Sequence, residues 1–209
     1  SVDQPGSDMS DRVLPDKLLK RRAARSSANG GDRKRSVGRT DWGSWPVYYA
    51  AASGLREYWY PVAWSSQVST KPIGVEVCGE KVVLQRDEKG IARGLHDRCP
   101  HRGIPLSLGK EEFPGTITCP YHAWTYRLTD GELVAVITDG PDSPMCGKVA
   151  VKTYPVDEAL GLVWVYIGDN EPIPLVDHLP EELVDAPPMT VGGRIEDRDG
   201  NWRYYAENG

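Results

Sequence analysis

Phenylalanine occurs once in the 209 residues, at Phe113, and cysteine and histidine only four times each. Four Cys in a chain of this length are too few for a disulfide scaffold. No apolar run approaches the roughly 18–20 residues that a membrane-spanning helix needs. The N-terminus has no apolar core of a secretory signal. Basic residues are the minority, 25 Lys and Arg against 30 Asp and Glu, so the formal net charge is −5 and nucleic acid is not the expected partner. No internal repeat is found.

Turn-forming residues and large aromatics are plentiful instead, with 22 Gly, 17 Pro, 7 Trp and 10 Tyr. That supply suits short strands joined by turns better than a helical bundle. Strand-like segments fall at Ile73–Val77, Lys81–Gln85, Ile91–Leu95, Thr116–Thr118, Thr125–Leu128, Val151–Val156 and Leu162–Ile167. Turn chemistry separates them, as in Cys78-Gly79-Glu80, Thr129-Asp130-Gly131 and Ala159-Leu160-Gly161. The pattern predicts an all-β sandwich or small barrel. Ahead of it, the Ala run after Trp45 predicts a short entry helix over 47–58, stopped by Pro61.

Charge divides the chain unevenly, +4 over residues 1–45 and −9 over 46–209. The Arg-, Ser- and Gly-rich stretch from Lys17 to Arg39 has little to bury, so 1–45 is expected to be a flexible basic tail. Residues 46–170 are expected to form the ordered domain. The acidic, Pro-rich passage from Asp169 cannot pair as a central strand, and 171–209 is expected to be a linker running over the surface. A strand at Thr190–Ile195 and a short strand or helix at Trp202–Glu207 are expected beyond it.

The chemistry gathers on two loops. The first reads Arg98-Cys99-Pro100-His101-Arg102-Gly103, the second Cys119-Pro120-Tyr121-His122-Ala123-Trp124. The spacing is C-x-H, seventeen residues, then C-x2-H. Two Cys and two His suit soft-to-borderline metals. A zinc finger usually brings Cys with Cys and His with His. Here each loop brings one of each, the arrangement that serves a [2Fe–2S] centre with both thiolates on one iron and both imidazoles on the other. Cys78 and Cys146 have no neighbour at ligand spacing and read as packed thiols. His96 reads as a strand histidine with a satisfied hydrogen bond, and His178 as exposed.

These four residues, their order and their flanking Pro and Gly resemble the Rieske iron–sulfur proteins. The resemblance implies a [2Fe–2S] cluster held by Cys99, His101, Cys119 and His122. Ile104 and Tyr121 stand where respiratory members carry a disulfide, Trp124 stands where those members have a Ser that bonds a cluster sulfur, and Tyr126 occupies the place of a Tyr that bonds a ligating Cys. That combination resembles the low-potential branch used by oxygenases and their ferredoxins. Leu55–Val62, Lys152–Val156, Val163–Asp169 and the Asn201-Trp202-Arg203 and Glu207-Asn208-Gly209 pair are similar to Rieske non-haem iron oxygenase α subunits, in particular the homotrimeric, carbazole-dioxygenase-like type.

The resemblance therefore implies a mainly β fold: an antiparallel β-sandwich with two cluster-binding loops, a short N-terminal helix and the start of an α+β catalytic domain. It further implies a cytoplasmic enzyme subunit, fed single electrons by a ferredoxin or flavin reductase. In such enzymes a mononuclear non-haem Fe(II) in the following domain activates O2 against an aromatic or related substrate. No H-x4-H pair for that iron occurs here, so the chain is expected to be a fragment ending before it. A stand-alone ferredoxin-like carrier is the alternative.

Overall fold

The computed structural model describes residues 48, 51–140, 142–184, 192–193, 196 and 200–208. The basic tail lies outside these, as do most of Thr190–Ile195 and residues 47, 49 and 50 of the expected entry helix. Among these residues, ten strands form three antiparallel sheets. The first sheet joins β1 (Tyr58–Trp64), β10 (Leu162–Ile167) and β9 (Val156–Ala159) in that order. The second runs β2 (Ile73–Val77), β3 (Glu80–Arg86), β4 (Ala92–His96), β8 (Thr153–Tyr154). The third is β5 (Thr116–Thr118), β6 (Trp124–Arg127), β7 (Leu133–Val136).

The four-stranded sheet lies between the other two, and β3 records it. Val82 and Leu84 pack with Val163, Val165 and Ile167 of the first sheet, whereas Val83 packs with Ile117, Tyr126 and Leu133 of the third. With both faces covered, Val82, Val83, Leu84 and Gln85 are buried in succession. β2, at the sheet edge, alternates between half-buried and exposed residues. Two-residue turns with both residues left-handed close β2–β3 at Cys78-Gly79 (φ 50° and 75°) and β9–β10 at Leu160-Gly161 (57° and 74°). These are the turns whose twist suits a hairpin.

Four expectations need correction. No helix forms over 51–57: Tyr48 has helical backbone, but Gly54 (φ 138°) and Glu57 (φ 69°) bend the chain, and from Tyr58 it pairs with β10. A run of three Ala is far too short to outweigh that pairing. The single strand expected at Val151–Val156 is split at Pro155, which passes the chain from the second sheet to the first. Pro has no N–H to continue the ladder.

Finally, the segment after β10 does not merely cross the surface. It makes two single-turn helices, α1 (Leu175–His178) and α2 (Glu181–Val184). Leu175, Val176 and Leu179 are buried, with Leu175 and Leu179 against Trp59 and Tyr166 on the outer face of the first sheet. Trp59 Nε1 donates to the Ile173 carbonyl at 2.7 Å. His178 is half-buried against Tyr58 rather than exposed. The last element, α3 (Trp202–Asn208), returns to the entry segment, where Trp202 Nε1 donates to the Ala51 carbonyl at 3.2 Å.

Candidate metal centre

The two loops share one backbone frame. In each, the Cys N–H donates to the carbonyl five residues on, Cys99 to Ile104 and Cys119 to Trp124, both at 2.8 Å. The residue four on donates back to the Cys carbonyl, Gly103 at 2.8 Å and Ala123 at 3.1 Å. That residue is left-handed in both loops, with φ 75° at Gly103 and 54° at Ala123. Only the histidine differs, two residues after Cys99 and three after Cys119. Loop one follows β4 and loop two links β5 to β6, so the pairing of the third sheet and its packing on the second bring both loops to one end of the domain.

All four expected residues come together there. Cys99 and Cys119 are buried at the base, on the core that includes Leu106, Ile117 and Tyr126. The imidazoles of His101 and His122 are half-buried above them, ring centroids 4.6 Å apart. Burial pushes the Cys119 thiol up; the N–H groups of Tyr121 and His122 oppose this, and the neighbouring Cys99 adds to it. Two buried thiols side by side resist becoming thiolates together unless a cation lies between them. His101 is held below the ordinary imidazole range by desolvation, then by His122 and Arg102, which favours the neutral form that a metal needs. Among the described residues no three or more His, Cys, Asp or Glu side chains gather around one point that a single ion could occupy. Donors split two and two, thiols below and imidazoles above, fit a two-iron cluster better than a lone zinc.

Tyr126, fully buried, stands with its Oη 3.2 Å from Cys99 Sγ. Trp124 lies against the core, and its indole also stacks on His101 at 4.6 Å and 9°. Sequence reasoning missed the loop anchors. Asp97 is buried and accepts both the N–H and the Oγ–H of Ser107 at 2.6 Å, tying the first loop to the turn at Leu106–Leu108. Thr138 Oγ1 donates to the His122 carbonyl at 3.2 Å. The available signal was Asp97 two residues before Cys99; Thr138 had none, since a separate turn supplies it. His96 lies 3.4 Å from the Tyr154 hydroxyl, as a satisfied strand histidine should. Cys78 and Cys146 are half-buried free thiols. An open cleft of about 480 Å³ flanks the first loop, lined in part by His96, Arg98, His101, Arg102 and Lys152.

A profile of the Rieske [2Fe–2S] domain matches residues 58–155. The chain therefore carries a Rieske [2Fe–2S] domain over those residues. Over 167 residues it is 42% identical to the terminal oxygenase component of carbazole 1,9a-dioxygenase from a Sphingomonas species, covering 79% of this chain and 43% of that protein. The solved terminal oxygenase of carbazole 1,9a-dioxygenase from Novosphingobium sp. KA1 superposes with a TM-score of 0.72 at 42% identity, covering 79% and 44%. The reduced complex between oxygenase and ferredoxin in carbazole 1,9a-dioxygenase matches at 0.72 and 40%, covering 80% and 43%. The chain thus spans under half the length of these relatives, and what it shares with them includes the Rieske domain.

Proposed function

We propose that this chain is the electron-accepting part of a Rieske non-haem iron oxygenase, with Cys99 and Cys119 on one iron of a [2Fe–2S] cluster and His101 and His122 on the other. When bound, the cluster supplies a site that takes up and gives back one electron. The residues around it do the rest. The core under the thiols excludes water, Tyr126 offers a hydrogen bond to Cys99 sulfur, and the imidazoles are only half-buried, which leaves a partner room to approach. The observation that carries this reading is the two-and-two division of donors, thiols buried and imidazoles half-buried, on two loops of one frame.

Electrons are expected to come from a ferredoxin or flavin reductase, the former in keeping with the ferredoxin complex of the similar oxygenase. The cleft with Arg98, Arg102 and Lys152 gives an acidic donor a basic landing place beside His101. They are expected to leave toward a mononuclear iron in the complete oxygenase, across a subunit boundary of a homotrimer, for oxidation of an aromatic substrate in the cytoplasm. No helix among the described residues is long and apolar enough to cross a membrane. Similarity reaching over 79% of the chain, beyond the 58–155 domain, favours the oxygenase over a free-standing carrier.

The test is anaerobic reconstitution of the chain with iron and sulfide. About two iron per chain and the visible and EPR spectra of a His-ligated [2Fe–2S] centre are expected. Cys99→Ser or His122→Ala should each abolish them. A protein that instead takes up one zinc, tetrahedrally, and no sulfide refutes the reading.

A further inference from the structure

A metal-binding imidazole ordinarily gives its second ring N–H to a carboxylate, carbonyl or water, which fixes the plane of the ring. Among the described residues, no side chain or carbonyl makes such a bond to His101 or His122. Within this chain the His101 ring is held by its faces and edges. Trp124 stacks on it at 4.6 Å and 9°, His122 lies against it at 4.6 Å and 58°, and Tyr121 covers His122 at 3.8 Å and 36°. The contacts run as a column of four rings in the order Tyr121, His122, His101, Trp124.

The two ends of this column differ. Tyr121 is 60% exposed at the loop tip. Trp124 opens β6, accepts the Cys119 N–H through its carbonyl, pairs with Val136, and rests its indole on the buried core. It is therefore a fixed wall, and it belongs to the second loop while the ring it touches belongs to the first.

We propose that Trp124 is the positioning residue for His101: its indole face sets the plane in which the imidazole meets the iron. The proposal rests on the reading of His101 as a cluster ligand. A stacked aromatic pair favours its bound orientation by about 2- to 10-fold over the unstacked one. Because Trp124 also receives the backbone bond from Cys119, a shift of the second loop turns the ligand of the first.

The experiment compares the reconstituted wild-type chain with Trp124→Leu, Trp124→Phe and Tyr121→Leu. Pulsed EPR of the reduced proteins reads the two imidazole nitrogen couplings. Wild type should give two narrow couplings. Trp124→Leu should broaden and shift one of them, move the reduction potential, and release iron to a chelator about 2- to 10-fold faster. Trp124→Phe, which keeps a ring face, should restore the narrow coupling, and Tyr121→Leu should leave that coupling narrow. Should Trp124→Leu hold no cluster, a Phe variant with two narrow couplings still supports the proposal, and a Phe variant equally empty overturns it. Unchanged couplings in Trp124→Leu also overturn it. A wild type with a cluster but no imidazole coupling would defeat the ligand reading itself, a separate result.

Discussion

A phenol 3.2 Å from a cysteine sulfur with no access to water, as at Tyr126 and Cys99, has one productive role once the sulfur is a thiolate, which is to donate. Electron density added to the iron on reduction makes that sulfur a better acceptor, so the bond stabilises the reduced state. Tyr126→Phe keeps the ring in the core and removes the donor. We expect the potential to fall by ~40 mV, about 1 kcal/mol in a one-electron couple, and voltammetry of the reconstituted protein reads it. The wild-type value is expected near ~−150 mV, since the chain has neither the Ser-type donor at Trp124 nor a bridge between positions 104 and 121; a reading above about +100 mV would refute that. Glu80 sets an acid limit. Burial alone would raise its carboxyl, but hydrogen bonds from Tyr154, from Arg56 at 2.7 Å and from Lys152 at 3.0 Å outweigh it and hold the carboxyl at about 2. A carboxyl lowered by folding stabilises the fold above its unfolded value near 4.5, and that contribution disappears as pH falls toward 2. Urea unfolding should show Glu80→Gln costing about 1–2 kcal/mol at pH 7 and almost nothing near pH 2. Equal costs at both would remove Glu80 from the account.

Elements were legible where the signal was local. Turn residues and alternating strands placed β2, β5 and β10 at their observed ends, and both ligand pairs sat within four residues of chain, so spacing alone revealed them. What escaped depends on partners distant in sequence. Glu57 takes a left-handed turn because its carboxylate caps Asp169 and Asn170 and receives the Tyr166 hydroxyl, a bargain invisible in an Ala-rich run that reads as helix. β7 was missed because Leu133–Val136 is a strand only through its pairing with β6. The stack of Trp124 on His101 joins two loops that the sequence lists twenty residues apart. The shared loop frame makes its own prediction. Gly103 and Ala123 hold the same left-handed position, and only Ala pays a steric penalty there, of about 1–2 kcal/mol. Ala123→Gly should stabilise the fold by about 0.5 kcal/mol after the entropy of the unfolded glycine is counted. Gly103→Ala should destabilise it by about 1–2 kcal/mol, since its new methyl would also lie 3.2 Å from Arg98 Nε. Denaturant midpoints that move in the same direction for both would mean the loops are not equivalent.

At the scale of the whole molecule the three buried clusters are stacked rather than merged. Cys99 and Cys119 belong to the one between the second and third sheets, and the next lies between the first and second. The outermost, where Leu175 and Leu179 meet Trp59 and Tyr166, is on the far face of the first sheet. The segment after β10 is thus fastened to the domain, yet two sheets separate it from the metal loops. Stability and cluster chemistry should respond to it separately. Leu175, 2% exposed, loses about 2–4 kcal/mol of packing on substitution by Ala, because α1 is a single turn and Trp59 would be left with its hydrogen bond to Ile173 but without cover. Limited proteolysis of the reconstituted protein, with visible absorption followed, tests both halves. Wild type should resist cutting at 171–179, whereas Leu175→Ala should be cut there with its [2Fe–2S] absorption at first intact. Loss of colour in step with the cut would show that the outer cluster supports the loops through the intervening sheets, and that 171–184 is part of the cluster domain in function as well as in packing.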